Sequence, residues 1–204
     1  MGRFAVAVVM LVTVLLGEEP SNPAVRDYAS GPLTAADFAA PVPEDAGQIQ
    51  AFTTTDLRYS LEYRVTRRKQ RSTAELTSFS IHAVVVPSAS WNRRPDDRRL
   101  LDHEQGHFDL TYIAGLRARV AFEEEDKPRG SGVTEDLAIA DLRKKVTEAV
   151  SAWIAGLKSE HERYDRVTRH GQDQQAQAAE RQRHREEMKS LRDPEQPNDS
   201  KNCR

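Results

Sequence analysis

A histidine pair in the middle of the chain has the residue types and spacing of a metal site. His103 and His107 are four residues apart, and Glu104 follows the first of them. Residues at this spacing share one face of a helix, so both imidazoles can bind one ion. Neutral imidazole suits Zn²⁺, and a neighbouring carboxylate can accept a proton from water. The motif therefore predicts a zinc hydrolase in which Glu104 is the general base.

A solvated helix that happens to carry two histidines is the alternative interpretation of this motif. The metal site is favoured because the motif lies within a long helical pattern, which begins near Asp97 and runs to about residue 125. Asp109, two residues after His107, is either a residue that orients an imidazole or an ordinary surface aspartate.

A second long helix is predicted to return antiparallel to the first. Residues 126–132 break the first pattern, and Thr134 followed by acidic residues marks a new helix start. A short turn between two long helices usually makes an antiparallel pair. Counting from Gly130 then places Trp153 level with His107, and Leu157 level with His103.

The third metal ligand should lie near residue 157 or a little beyond it. The polar candidates there are Glu160, His161, Glu162, Tyr164, Asp165 and His170. Counting along the helix favours Glu160 or His161. His170 overshoots by roughly 20 Å if the helix stays straight, at 1.5 Å per residue.

Two stretches before the motif have the alternation of half-buried strands. Apolar and polar side chains alternate in residues 56–65 and 76–86. The polar, basic residues 66–73 between them predict a hairpin with a long loop, which is either solvated or faces an acidic surface. The sequence thus predicts an α+β fold, with a small antiparallel sheet packed on two long antiparallel helices. We assign the second strand as the edge that pairs with an extended substrate.

The composition limits the classes of function. The 204 residues suit one domain with tails, and the net charge of -2 gives no basic excess that would predict nucleic-acid binding. The single cysteine, Cys203, excludes an internal disulfide and a cysteine-based metal site.

The N-terminus predicts export to the periplasm or the outside of the cell. Residues 1–17 contain one positive charge and an apolar run over 4–16, as in a signal peptide. An uncleaved anchor is the alternative, and it would be the protein's contact with the membrane. Residues 18–30 are predicted to be a linker, and residues 31–175 the domain.

The C-terminal residues 176–204 are predicted to be a polar, partly disordered tail. Residues 172–191 are polar on every face and predict a solvated helix, with His184 facing solvent. The prolines and polar residues of 192–204 predict disorder.

Three stretches resemble one family, the predicted secreted zinc-dependent proteases of bacteria called domain of unknown function 922. Pro32–Phe38 is similar to the family's first motif, with Ala35 where Trp is expected. Leu100–Leu110 is similar to its central helix, and Tyr164–Gly171 to its Tyr-Asp-x-x-Thr-x-His-Gly signature. The resemblance covers roughly residues 31–175.

This resemblance implies a minimal zincin-like metallopeptidase that acts on a peptide or protein. It implies His170 as the third zinc ligand, against the helix count, with Gly171 helping the chain to turn. It also implies that Tyr164 donates a hydrogen bond to an oxyanion and that Asp165 supports a ligand.

Two other classes of function stay open on the sequence. A non-catalytic envelope protein would use zinc to tie its helices together, and a fourth ligand such as His161 or Asp165 would favour it. A helical binding module would hold no metal at all.

Overall fold

The computed structural model describes residues 24–124 and 127–192, which form an α+β fold with a small antiparallel sheet and three helices. The strands are β1 (Arg26–Asp27), β2 (Ala51–Phe52), β3 (Thr55–Arg68), β4 (Arg71–Val85), β5 (Trp91–Asn92) and β6 (Arg129–Gly132). The helices are α1 (Arg98–Glu124), α2 (Glu135–Thr168) and α3 (Gln174–Arg192).

The predicted hairpin is confirmed, but the prediction of a long loop between its strands is wrong. β3 and β4 pair from Thr55↔Val85 to Arg68↔Arg71, with one register shift between Glu62 and Tyr63, so only a tight turn at Lys69 connects them. The polar residues of this segment stay in strands because β6 pairs with β4 beside them, from Ser72↔Gly132 to Glu75↔Arg129. Backbone hydrogen bonding therefore outweighs the polar composition.

The predicted role of β4 as the substrate edge is wrong, because β4 lies inside the sheet. β3 pairs with one side of it, while β1 and β6 pair with the other. β2 and β5 form a separate two-stranded ribbon.

The antiparallel helix pair covers one face of the sheet. Phe79 of β4 packs against Phe122 of α1 and Val146 of α2 in one buried cluster. A second cluster joins Leu57 and Val85 of the sheet to Phe108 of α1, among others. Burial of these apolar faces fixes α1 and α2 against the hairpin.

The alignment of the two helices differs from the count along the chain. Trp153 packs edge-on against Phe122, whereas His161 lies level with His107. The connection contains strand β6 rather than a tight turn, so α2 is displaced along α1 by about two helical turns. Residues near 165 of α2 are thereby brought to the start of α1.

The prediction that residues 172–191 form a solvated helix is wrong. α3 packs against α1, and Met188 joins Ile113 and Leu116 in a third buried cluster. Its other buried residues are Gln177, Glu180 and His184, at the spacing of one helix face. His184 is fully buried beside the ring of Tyr164, not exposed to solvent. The inward face is mostly polar, which is why hydropathy does not reveal it.

Part of the predicted linker 18–30 also belongs to the fold. β1 pairs with the end of β4, and the ring of Tyr28 stacks on Tyr112 with centroids 4.0 Å apart. The hydroxyl of Tyr28 donates to Asp109 at 2.8 Å. The predicted signal segment 4–16 and the residues after 192 lie outside the described part of the chain.

Within the described ranges, no helix has both the length and the apolar content that a membrane crossing requires.

Replacing Met188 tests whether α3 is part of the domain. Met188→Ala removes a buried side chain at the α1–α3 contact, so we expect it to lower the free energy of unfolding by about 2–4 kcal/mol. Lys189→Ala, on the exposed face of the same helix, should change it by less than about 0.5 kcal/mol. Urea denaturation measures both. Equal, negligible effects would mean that α3 does not pack on α1.

Candidate metal centre

Helix α1 places His103, Glu104 and His107 on the floor of an open cleft. Asp97 caps the start of this helix by accepting a hydrogen bond from the Arg99 N–H at 3.0 Å. His103 and Glu104 are almost fully buried, and His107 is partly buried. The cleft has a volume of about 1290 Å³ and is walled by residues 48–55 on one side and by α2 on another.

Asp165 of α2 meets both imidazoles of the motif. Its Oδ1 atom lies 3.1 Å from Nε2 of His103 and 3.0 Å from Nε2 of His107. One ligand atom from each of the three residues lies within 4.8 Å of the others. Two imidazole nitrogens and a carboxylate oxygen therefore converge on one point between α1 and α2.

The carboxylate of Asp165 is ionised at neutral pH. Its burial by itself would raise the pKa, but the hydrogen bonds from His103 and His107 outweigh burial and hold the pKa below its usual range. The donor set is thus anionic oxygen with imidazole nitrogen, which is a combination that Zn²⁺ accepts.

His170 lies beside this cluster but outside it. α2 ends at Thr168, and the chain reverses through Arg169, His170 and Gly171, all with positive φ. This turn brings Nδ1 of His170 to 3.5 Å from Oδ1 of Asp165, although the side chain is 74% exposed. The structure thus groups Asp165 with the histidine pair, and the assignment of His170 as third ligand stays a prediction.

His161 contacts the Nδ1 side of the His107 ring, away from Asp165. The Nδ1 atoms of the two rings are 2.8 Å apart, so one must donate a hydrogen to the other. Burial, together with the charge that His107 can carry, lowers the pKa of His161 to about 4. His161 is therefore neutral at pH 7 and can accept the Nδ1–H of a His107 that binds an ion through Nε2.

Glu160, the other ligand favoured by counting, points elsewhere. Its carboxylate accepts a hydrogen bond from Arg117 at 2.5 Å. That contact ties α1 to α2 at a distance from the histidine pair.

Tyr164 lies beneath the motif rather than in the cleft. Its ring is fully buried and stacks on His103, with centroids 4.9 Å apart, and its hydroxyl lies 3.3 Å from the His103 carbonyl. Burial raises the pKa of this phenol above its usual range, and the charges of Asp109 and Glu104 raise it further. Its position argues against a role as oxyanion donor and makes Tyr164 a residue that positions His103.

Asp109 does not contact the imidazoles of the histidine pair. Its carboxylate accepts hydrogen bonds from Tyr28 at 2.8 Å and from the Gln105 amide at 2.7 Å. The Gln105 carbonyl in turn accepts the N–H of Leu33 at 2.7 Å. These contacts attach the N-terminal segment to α1, and the role of Asp109 in orienting an imidazole stays a prediction.

Thr53 is a site residue that the sequence does not indicate. Its hydroxyl donates to Oε2 of Glu104 at 2.5 Å. It comes from the segment between β2 and β3, which approaches α1 only in the folded chain. A threonine between two strands carries no pattern that could have revealed this contact.

Two glycines permit the close packing of the site. A Cβ at Gly106 would lie 2.1 Å from the Tyr164 hydroxyl oxygen. A Cβ at Gly171 would lie 2.9 Å from the Cβ atom of His103. Gly171 also has φ of 77°, a conformation that glycine adopts readily. The glycine within the histidine motif is the one sequence signal of the Tyr164 contact.

Compared with protein-family models, with curated proteins and with solved structures, the chain has no significant match. The resemblance to the zinc-dependent protease family therefore stays a prediction, and the geometry of the site carries the functional argument.

Zinc binding by two variants distinguishes the candidate third ligands. We expect Asp165→Ala to weaken zinc binding by at least about 100-fold, because it removes a charged ligand atom between the imidazoles. His170→Ala should weaken it by less than about tenfold. Competition with a chromophoric chelator at pH 7 measures both affinities. The opposite ranking would make His170 the third ligand, as the family resemblance implies.

Proposed function

We propose that this protein is an exported zinc-dependent peptidase of a minimal zincin-like type. The observation that carries the proposal is the convergence of His103, His107 and Asp165 beside Glu104 on the floor of an open cleft. Export rests on the predicted signal peptide, residues 1–17, and the expected location is the periplasm or the cell exterior.

The number of grouped ligands favours catalysis over a purely structural zinc site. A structural site is usually closed by four protein ligands, whereas a catalytic one keeps a position for water. Within residues 24–124 and 127–192, the cluster contains three candidate ligands. His161, the fourth candidate, faces Nδ1 of His107 rather than the point where the Nε2 atoms converge. A zinc ion held by His103, His107 and Asp165 would therefore keep one coordination position for water.

Glu104 is placed to move a proton. Its carboxylate adjoins the histidine pair and accepts the Thr53 hydroxyl through one oxygen, so the other oxygen is available to a water molecule. Zinc, when bound, makes a water molecule more acidic and polarises a peptide carbonyl. Glu104 accepts the proton of the attacking water and donates it to the amine as the C–N bond breaks.

The surroundings hold the ligand rings in place. Tyr164 stacks on His103, and Nδ1 of His161 lies 2.8 Å from Nδ1 of His107, where a neutral His161 can accept its hydrogen. Groups held in this way need little rearrangement during the reaction, which lowers its free-energy barrier.

Glu104→Gln separates catalysis from metal binding. The amide keeps the size of the side chain but cannot accept a proton, so we expect hydrolysis of unfolded casein to fall by at least about 100-fold with one zinc still bound. Glu162→Gln, which changes an exposed carboxylate in the same cleft, is the matched control and should keep full activity. Equal activity of the Glu104 variant and the wild type would show that Glu104 is not the general base. Absence of zinc from the wild type would favour the binding module.

Thr53→Val tests the contact that positions the base. Valine has the shape of threonine without the hydroxyl, and a hydrogen bond to a charged group is worth roughly 1.5–3 kcal/mol. We therefore expect kcat to fall by about 10- to 100-fold while KM and zinc content stay unchanged. Thr53→Ser, which keeps the donor, should restore most of the activity. A fully active valine variant would show that Glu104 needs no such contact.

A further inference from the structure

The ribbon of β2 and β5 presents a strand edge to the cleft. Gln50 and Thr54 direct their backbone groups towards the β5 side, where the Gln50 carbonyl accepts from Arg93 and the Thr54 N–H donates to Ser90. In an antiparallel ladder, successive residues point to opposite sides. The N–H and C=O groups of Ala51 and Thr53 therefore point to the other edge of β2, in the segment that walls the cleft.

Large apolar side chains are exposed along this cleft. Ile49 and Phe52 are each 53% exposed on the β2 side, and Ile154 of α2 is 44% exposed on the other. Six large apolar residues are exposed in the described part of the chain, and these three line the same cleft. Apolar surface gathered around a concave site marks a place where apolar groups bind.

The edge and the apolar wall lie next to the candidate catalytic base. Phe52 precedes Thr53, whose hydroxyl contacts Glu104 at 2.5 Å. A chain paired along β2 would therefore lie in the same cleft as Glu104, and the residue that pairs with Thr53 would be the one nearest to this base.

We propose that the cleft binds polypeptide in an extended conformation, pairing its backbone with Ala51 and Thr53 and packing a large apolar side chain among Ile49, Phe52 and Ile154. This substrate class rests on the proposed peptidase function. It consists of unfolded or flexible segments, because a helix or a folded surface cannot offer the backbone groups that strand pairing requires. Segments that carry only small or charged side chains are poor ligands.

The test measures binding without cleavage. The probes are two fluorescein-labelled peptides of Gly and Ser that differ only in a central Leu or Asp, and the protein is the full chain with Glu104→Gln, loaded with zinc. Fluorescence anisotropy should give about tenfold tighter binding of the Leu peptide. Phe52→Ser and Ile154→Ser, added separately, should each lower the affinity for the Leu peptide several-fold and leave the affinity for the Asp peptide unchanged. Val133→Ser, at a position 67% exposed and away from the cleft, is the matched control and should have no effect.

Two further peptides test the backbone pairing. One carries N-methyl groups at the odd residues of the Leu peptide and the other at the even residues, so each lacks the N–H donors of one strand edge. We expect one of the two to lose most of its affinity, because only one edge pairs with β2. Equal binding of the Leu and Asp peptides would overturn the apolar site, and insensitivity to both methylation patterns would overturn strand pairing. Peptide binding by a wild type that hydrolyses nothing would refute the peptidase function alone. Hydrolysis without a preference for apolar residues would refute only this substrate class.

Discussion

A single carboxylate oxygen of Asp165 lies between two imidazoles of α1, and this contact fixes how the long helices meet. His103 is buried there because Tyr164 stacks on one of its faces and Gly171 packs against its Cβ. Buried polar groups need partners, so α2 must present Asp165 at this level of α1. The displacement produced by strand β6 is what brings it there. The sheet serves the site mainly by setting the position of one helix relative to the other.

The contact of α1 with α3 combines a small apolar cluster around Met188 with many polar contacts. Glu180 of α3 accepts hydrogen bonds from Arg163 of α2, and these lower the pKa of Glu180 to about 2. His184 lies fully buried, with its ring nitrogens 3.9 Å from carboxylates of Asp109 and Glu180. The Arg163–Glu180 ion pair adds little net stability, but removing either member leaves an uncompensated charge. These polar contacts therefore select one docking geometry for a helix whose inward face is mostly polar.

Local patterns of the sequence predict the parts of the molecule that local forces determine. The histidine spacing, the Asp97 and Thr134 caps and the alternation in β3 all act within a few residues, and the structure contains each of them. The grouping of Asp165 with the histidines depends on a strand of four residues between the helices, which a helix count cannot include. Thr53 reaches Glu104 across 51 residues of chain, and α3 docks through a face that is mostly polar. These features come from tertiary packing, which overrides the preferences of short segments.

The first and last segments that the structure describes both contact α1, which has a consequence for the order in which the protein folds. Tyr28 donates to Asp109 and also lies 3.5 Å from the sulfur of Met188, 160 residues away in sequence. Contacts between such distant residues form late and slow folding, because much of the chain must be ordered before they can be made. Asp165 reaches the histidine pair only when α2 has been synthesised and packed. During translation, the nascent chain therefore carries the histidine motif before Asp165, which completes the candidate metal centre, has been added.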